Sequence, residues 1–373
     1  MTFNTIRDSG LGTPGSGLSA PSSTSQTACA QSPRPRTQGE VSSSALAGAV
    51  AAADCSQAAS TVLGFGSMGR QYVQALRALG LARIRVCSRS AGPLEALRGV
   101  SGVETVAGGF ERLAVRAESE ELGIIATPIA SLMASVERLA SLGFRRLLIE
   151  KPVSLWSSRI EQLAERLERQ GIEAWVAYNR VAYPSFHEAR ARTSEEGGIT
   201  SCAYTFTEMI RPDWAQRYPA EVLARLGVAN SLHVMSLAHG LIGWPAAWSG
   251  HRAGRLVWHP AGSVFVGSGV SQRGVAFTYH ADWGSTGRWS VEVHTPVSSY
   301  RLCPLEQLFR RASAAGAWEP VPVEVFNPDI KAGLIEQVAA ALDPAVRALV
   351  PLVSVREAAR LARFGEAVFG YEP

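Results

Sequence analysis

The stretch Ser60-Thr61-Val62-Leu63-Gly64-Phe65-Gly66-Ser67-Met68-Gly69 decides the fold. A short apolar run enters a glycine turn and leaves it into a helical pattern. Val73, Leu76 and Leu79 share one face of that helix, and Gly80 closes it. Strand, Gly-x-Gly-x-x-Gly, helix is an arrangement that brings a backbone against a pyrophosphate. Gly64 makes the tight turn, Gly66 lets the main chain approach the anion, and Gly69 lets the helix pack close to the strand. The helix N-terminus then faces the negative charge. Phe65, Ser67 and Met68 complete the candidate dinucleotide contacts. The motif alone is weak in a chain with 35 glycines, so its flanks carry the reading.

The flanks repeat strand and helix. Strands are expected at residues 83–87, 103–106, 121–126, 146–150 and 173–177, with amphipathic helices at 131–142 and 156–170. Apolar strands alternating with helices specify a doubly wound parallel sheet covered on both faces. Ligands of such sheets sit beyond the carboxyl ends of the strands. Thr127, Pro128, Glu150, Lys151 and Tyr178 fall at that edge. Strand 83–87 ends in Ser88-Arg89-Ser90, where an NAD site usually carries a carboxylate for the ribose 2′-hydroxyl. A hydroxyl beside an arginine suits a 2′-phosphate instead, so NADP is preferred to NAD, with Ser88 and Arg89 as its contacts.

After Tyr178 the pattern changes to alternating β-branched and aromatic runs at 200–207, 263–268, 275–280, 288–294 and 299–302, with a helical block at 220–242. This reads as a mostly antiparallel open sheet backed by helices. The fold class is therefore α/β followed by α+β. The expected units are a Rossmann domain over 59–178 and an α+β substrate and oligomerisation domain over 179–373. Residues 1–58, rich in Ser, Ala, Thr, Gly and Pro, are expected to be disordered.

Leu147-Leu148-Ile149-Glu150-Lys151-Pro152 holds the first candidate for chemistry. Of 36 basic residues, Lys151 and Lys331 are the lysines and the other 34 are arginines. Arginine does not release its proton in a protein; a partly buried lysine can. Lys151 is thus expected to do proton chemistry, and Lys331 reads as a leftover surface lysine. Composition excludes other classes. The net charge of +4 is spread among acids, so no basic stripe points to nucleic acid. Five cysteines lack paired spacing, which argues for reduced thiols, a cytoplasmic setting and no metal site. No apolar run approaches a membrane span.

Four motifs in order carry a resemblance: Gly64-Phe65-Gly66-Ser67-Met68-Gly69, Ala126-Thr127-Pro128, Glu150-Lys151-Pro152, and Tyr178-Asn179-Arg180 with Pro184. From Ser60 onward the chain resembles the Gfo/Idh/MocA (glucose–fructose oxidoreductase, inositol dehydrogenase, rhizopine catabolism) family. The resemblance implies hydride transfer between a nicotinamide and a hydroxyl or carbonyl carbon of a sugar, nucleotide sugar or polyol. It implies that Lys151 holds the reacting oxygen, and that subunits pair, as dimers or tetramers, through the second sheet. The family's helix with two acids around a histidine corresponds to Asn230-Ser231-Leu232-His233-Val234-Met235-Ser236, where both acids are absent. His233 is the second catalytic candidate, as an aid to proton transfer. Tyr178, Asn179, Arg180 and Asn230 are the expected substrate contacts. Arg211, as a clamp with Arg180 for a phosphate or carboxylate of the substrate, and Asp282, Trp283 and Trp289 are weaker candidates, and His239 reads as structural. The missing acids leave open a non-catalytic dinucleotide sensor, and a third reading is cofactor-assisted glycoside cleavage.

Overall fold

A computed structural model describes residues 40–118, 120–211 and 213–372. Strands β1 (Ala59–Leu63), β2 (Arg83–Ser88), β3 (Val103–Ala107), β4 (Leu122–Ile125), β5 (Arg146–Ile149) and β6 (Glu173–Val176) are parallel, in the order β6-β5-β4-β1-β2-β3. The short strand Val353–Ser354 adds antiparallel beside β6. β1 and β4 are buried along their whole length, as strands covered on both faces must be. Helices α2 (Ser67–Ala78), α3 (Ile129–Ser141) and α4 (Ser157–Arg169) cross between strands. The order reverses between β1 and β4. The glycine turn leaves β1, Thr127 follows β4, and Glu150 and Lys151 follow β5, so all three meet at the carboxyl edge.

The second sheet is built from β7 (Ser201–Phe206), β8 (Pro245–Ala253), β9 (Val264–Ser271), β10 (Ala276–Asp282), β11 (Trp289–His294), β12 (Ser299–Leu302), β13 (Leu308–Arg311) and β14 (Glu319–Val321). Its order is β14-β13-β12-β11-β7-β10-β9-β8, with β7 and β10 parallel and every other neighbouring pair antiparallel. Burial alternates residue by residue along β10, so one face packs and the other is open. The buried helix Leu232–Ile242 lies on the packed face against β7 and β11. β8, β13 and β14 are absent from the sequence expectation. β8 is largely exposed at the sheet edge, and β14 spans three residues at the other edge, so neither shows a strong apolar alternation.

The chain then returns to the first sheet. Helix Leu334–Leu342 buries Leu334, Ile335 and Val338 in one core with Val62, Tyr72 and Leu76. Helix Val355–Phe369 starts at a capping box between Ser354 and Glu357 and packs on α4.

The expectation of disorder over 1–58 needs correction. Residues 1–39 lie outside the described residues, but Ser43–Ala52 forms helix α1. Ser42 caps it by accepting from the Ala45 N–H, and Leu46 and Val50 enter the core beside Leu76 and Val338. Ser43 donates from N and Oγ to the Glu188 carboxylate at 3.0 and 2.9 Å. Alanine is the best helix former, and two apolar residues four apart give the helix a face to bury. Averaging composition over 58 residues hides both.

Candidate active site

The carboxyl edge of the first sheet opens onto a cleft of about 660 Å³. Gly64 sits at φ +93°, and a Cβ there would lie 2.4 Å from the Ala126 carbonyl oxygen. A Cβ on Gly69 would lie 1.9 Å from the Gly64 carbonyl oxygen, whereas one on Gly66 would meet nothing. Two glycines therefore close the turn, and the third leaves open space above the backbone at the start of α2. That is the cradle a dinucleotide pyrophosphate requires, so the residues fit such a cofactor. Of the expected dinucleotide contacts, all but Gly69 line the cleft. Ser88 is buried at the end of β2, and Arg89 is exposed at the rim. Thr127 shares a hydrogen bond with Ser135 at 3.1 Å, which ties the turn after β4 to α3. The cleft also holds an acid that the sequence reading missed: Glu111, from the turn after β3.

A smaller cavity of about 210 Å³ lies between the glycine-turn helix and the helical segment that carries Asn230 and His233. Glu150 accepts from the Tyr72 hydroxyl at 2.7 Å. Next to it the Lys151 Nζ donates to the Ala229 carbonyl and to Asn230 Oδ1, each at 3.2 Å. Both partners sit in a π-helical turn, Gly227–Ser231, that precedes the helix bearing His233. Such a turn shifts the carbonyl ladder out of register and frees an acceptor for a side chain. Burial pulls the Lys151 ammonium down to about 8; Arg180 pulls the same way, and Glu150 and Glu208 oppose it.

Glu208, just beyond β7, is the most consequential residue that the sequence reading missed. Asn230 Nδ2 donates to its Oε2 at 2.9 Å, and Ser231 Oγ donates to its Oε1 at 2.6 Å. Burial raises this carboxyl to about 7, against those two hydrogen bonds and Lys151. The histidine helix lacks its two acids, and Glu208 brings one carboxyl to its N-terminal turn from another element.

His233 is buried, and its Nε2 stands 3.1 Å from Arg180 Nη1. A guanidinium only donates, so Nε2 accepts and the ring proton is assigned to Nδ1. Burial, then Arg180, Lys151 and Lys331, push this imidazole well below its ordinary range. It is neutral at physiological pH and already engaged, which does not suit the proton-transfer role expected for it. Arg180 also donates to Asn179 Oδ1 at 2.6 Å and lies over the Trp289 ring at 5.5 Å. Asn179 Nδ2 donates to the Ala332 carbonyl, so Asn179 is occupied by the protein rather than free for substrate.

Lys331 is exposed, as expected of a surface lysine, yet it stands at the site. It lines the small cavity with Lys151, and its Nζ reaches Met68 Sδ of the glycine turn at 3.5 Å. The chain's two lysines share one site. Tyr178, expected to contact substrate, is buried behind the cavity, edge-on to His233 at 5.6 Å. Asp282 caps a turn by accepting from Gly284 N, and Trp283 packs in the core against Phe265 and Phe369, so neither reaches the site. His239 is buried among Tyr204, Trp244 and Phe364. Arg211 and Trp289 do line a third cavity, of about 810 Å³, which shares Arg180 and Asn230 with the small one.

No family model matches the chain. A myo-inositol dehydrogenase, Hyg17 of Streptomyces leeuwenhoekii, is 31% identical over 132 residues, which is 35% of this chain and 40% of that protein's length. Among solved structures, UDP-N-acetylglucosamine 3-dehydrogenase GnnA from Acidithiobacillus ferrooxidans aligns with TM-score 0.63 at 15% identity, over 84% of this chain and 96% of its own. An oxidoreductase from Agrobacterium radiobacter, in complex with NAD+, L-tartaric acid and magnesium, aligns with TM-score 0.67 at 14% identity over the same shares. At these identities the likeness is one of fold: a helix-covered parallel sheet followed by an open, mostly antiparallel one. No helix among the described residues is long and apolar enough to cross a membrane.

Proposed function

We propose that this chain, which has the fold of the Gfo/Idh/MocA oxidoreductases, is a nicotinamide-dependent dehydrogenase of the cytoplasm acting on a hydroxyl or carbonyl carbon of a sugar-type substrate. The observation that carries the reading is the position of Lys151. Its depressed ammonium stands where the dinucleotide cleft, the small cavity and the π-helical turn meet. The bound nicotinamide dinucleotide supplies the hydride acceptor or donor. In the oxidising direction the neutral Lys151 amine takes the hydroxyl proton; in the reducing direction its ammonium returns one to the carbonyl oxygen. A group near pH 8 can do both.

The other residues hold that amine in place. Asn230 fixes Nζ from one side while Glu208 fixes Asn230 from the other. His233 serves as acceptor for Arg180 and so orients the guanidinium at the junction of the two substrate cavities. Loss of the helix acids favoured a non-catalytic reading; a carboxyl supplied by Glu208 supports the catalytic one.

Ser88 and Arg89 at the end of β2 support NADP, with no acid on that strand end. The open face of the second sheet, with Val266 and Val270 exposed on β9, is where copies would pair, and light scattering reads that state. The function is tested by incubating the protein with NADP+ or NAD+ and a panel of polyols, sugars and sugar phosphates, following reduced-nicotinamide absorbance. Wild-type turnover that disappears in Lys151→Met supports the reading. Turnover that persists in the variant, or no nicotinamide binding by the wild type, overturns it.

A further inference from the structure

The two cavities that meet at Arg180 and Asn230 are unevenly charged. Lys151, Lys331, Arg180, Arg211, Arg217 and Arg288 line them, against three carboxyls, Glu150, Glu208 and Glu306. Each carboxyl is engaged elsewhere: Glu150 by Tyr72, Glu208 by Asn230 and Ser231, Glu306 by the Tyr183 hydroxyl. About half of the arginines among the described residues are ion-paired, as Arg225 is with Glu366 and Arg347 with Glu173. The Arg211 and Arg288 side chains, among the described residues, make no hydrogen bond or ion pair, and Arg217 only lies over the Tyr218 ring at 5.6 Å. These three come from separate places: the segment after β7, the short helix Trp214–Arg217, and the turn before β11. They converge on the larger cavity, which also presents the rings of Trp214, Tyr218 and Trp289. All three are exposed to solvent, and a neutral polyol offers them no charge to pair with.

We propose that the larger cavity, of about 810 Å³, binds the phosphate-ester tail of the substrate, so that the sugar presented to Lys151 is a sugar phosphate or a nucleoside diphosphate sugar. Guanidinium groups match phosphate oxygens in pairs, and aromatic rings beside them offer faces for a base or a sugar. The cavity is within the size range of small-molecule sites. The inference rests on the proposed dehydrogenase reading and narrows its substrate class.

The test is calorimetric titration of the full chain with its dinucleotide cleft first saturated with NADPH, so that a nucleotide cannot enter there. The probes are UDP, glucose 1-phosphate and myo-inositol. UDP or glucose 1-phosphate is expected to bind, more weakly as salt rises, while myo-inositol alone does not. Arg211→Ala and Arg288→Ala should each weaken that binding by about tenfold with NADPH affinity unchanged. UDP tighter than glucose 1-phosphate assigns the nucleotide sugar; equal affinities assign the phosphate alone. Binding of myo-inositol without either phosphate ester, or phosphate binding indifferent to both variants, overturns the inference and leaves the dehydrogenase reading standing. Failure to bind either NADPH or NADH at the outset sinks that reading instead.

Discussion

Lys151 and Glu208 hold opposite ends of one amide: Nζ donates to Asn230 Oδ1 at 3.2 Å, and Asn230 Nδ2 donates to Glu208 Oε2 at 2.9 Å. The carboxyl fixes which way the amide points, and its charge favours the ammonium form of Lys151. Glu208→Gln keeps the shape and one acceptor but removes the charge. The Lys151 ammonium should then release its proton about one pH unit lower. Because the chain holds two lysines, ¹³C-dimethylation of wild type and variant gives resonances few enough to titrate by NMR. A titration midpoint unmoved by the substitution would show that Glu208 merely packs.

Lys151 itself sets the pH response. Oxidation uses the neutral amine, so kcat/KM for an alcohol should rise with pH and level off above about 8. Reduction uses the ammonium and should fall over the same interval. Lys151→Met should cost about a thousandfold in turnover with cofactor affinity retained. Lys151→Arg should be nearly as poor, since a guanidinium keeps its proton. An arginine variant with substantial activity would reduce Lys151 to a fixed positive charge.

Cofactor choice turns on Arg89, exposed at the end of β2, against Glu111, in the same cleft from the turn after β3. Arg89→Ala should raise the NADPH dissociation constant about tenfold and leave that of NADH within a factor of about two. Nicotinamide fluorescence reads both. Equal losses for the two cofactors would place Arg89 on a part they share.

What the sequence made legible was what the backbone constrains locally. The Gly64 and Gly69 positions of the turn are demanded by contacts of 2.4 and 1.9 Å that no side chain tolerates, and Lys151 stands two residues beyond a buried strand. Glu208 and Lys331 were not legible because their partners are remote in sequence. Lys331 meets Met68 across 263 positions, through a chain that crosses the second sheet and returns. Lysine scarcity singles out Lys331 as strongly as Lys151, but scarcity alone names no partner for it. His233 was found by its place in a helix, but nothing along the chain shows that Arg180 would reach its Nε2.

Acid stability gives a test of the core beside the site. Burial, with Arg360 adding to it, holds the His239 imidazole down at about 3, and neither ring nitrogen has a hydrogen-bond partner among the described residues. In the unfolded chain the same ring titrates near its ordinary value of about 6.5. The unfolded state therefore binds the extra proton first. The contribution is fully present above about pH 6.5 and is lost as pH falls toward the folded value. At pH 5 the loss is about 2 kcal/mol relative to pH 8. His239→Leu removes the titration at similar volume, so whatever it costs in packing should be the same at both pH values. The variant's stability relative to wild type, from urea unfolding, should improve by about 2 kcal/mol on going from pH 8 to pH 5. Other buried titrating groups, Glu208 and Glu336 among them, are common to both proteins and cancel in that difference. A difference that does not change with pH would mean that the His239 ring takes up its proton without leaving the core.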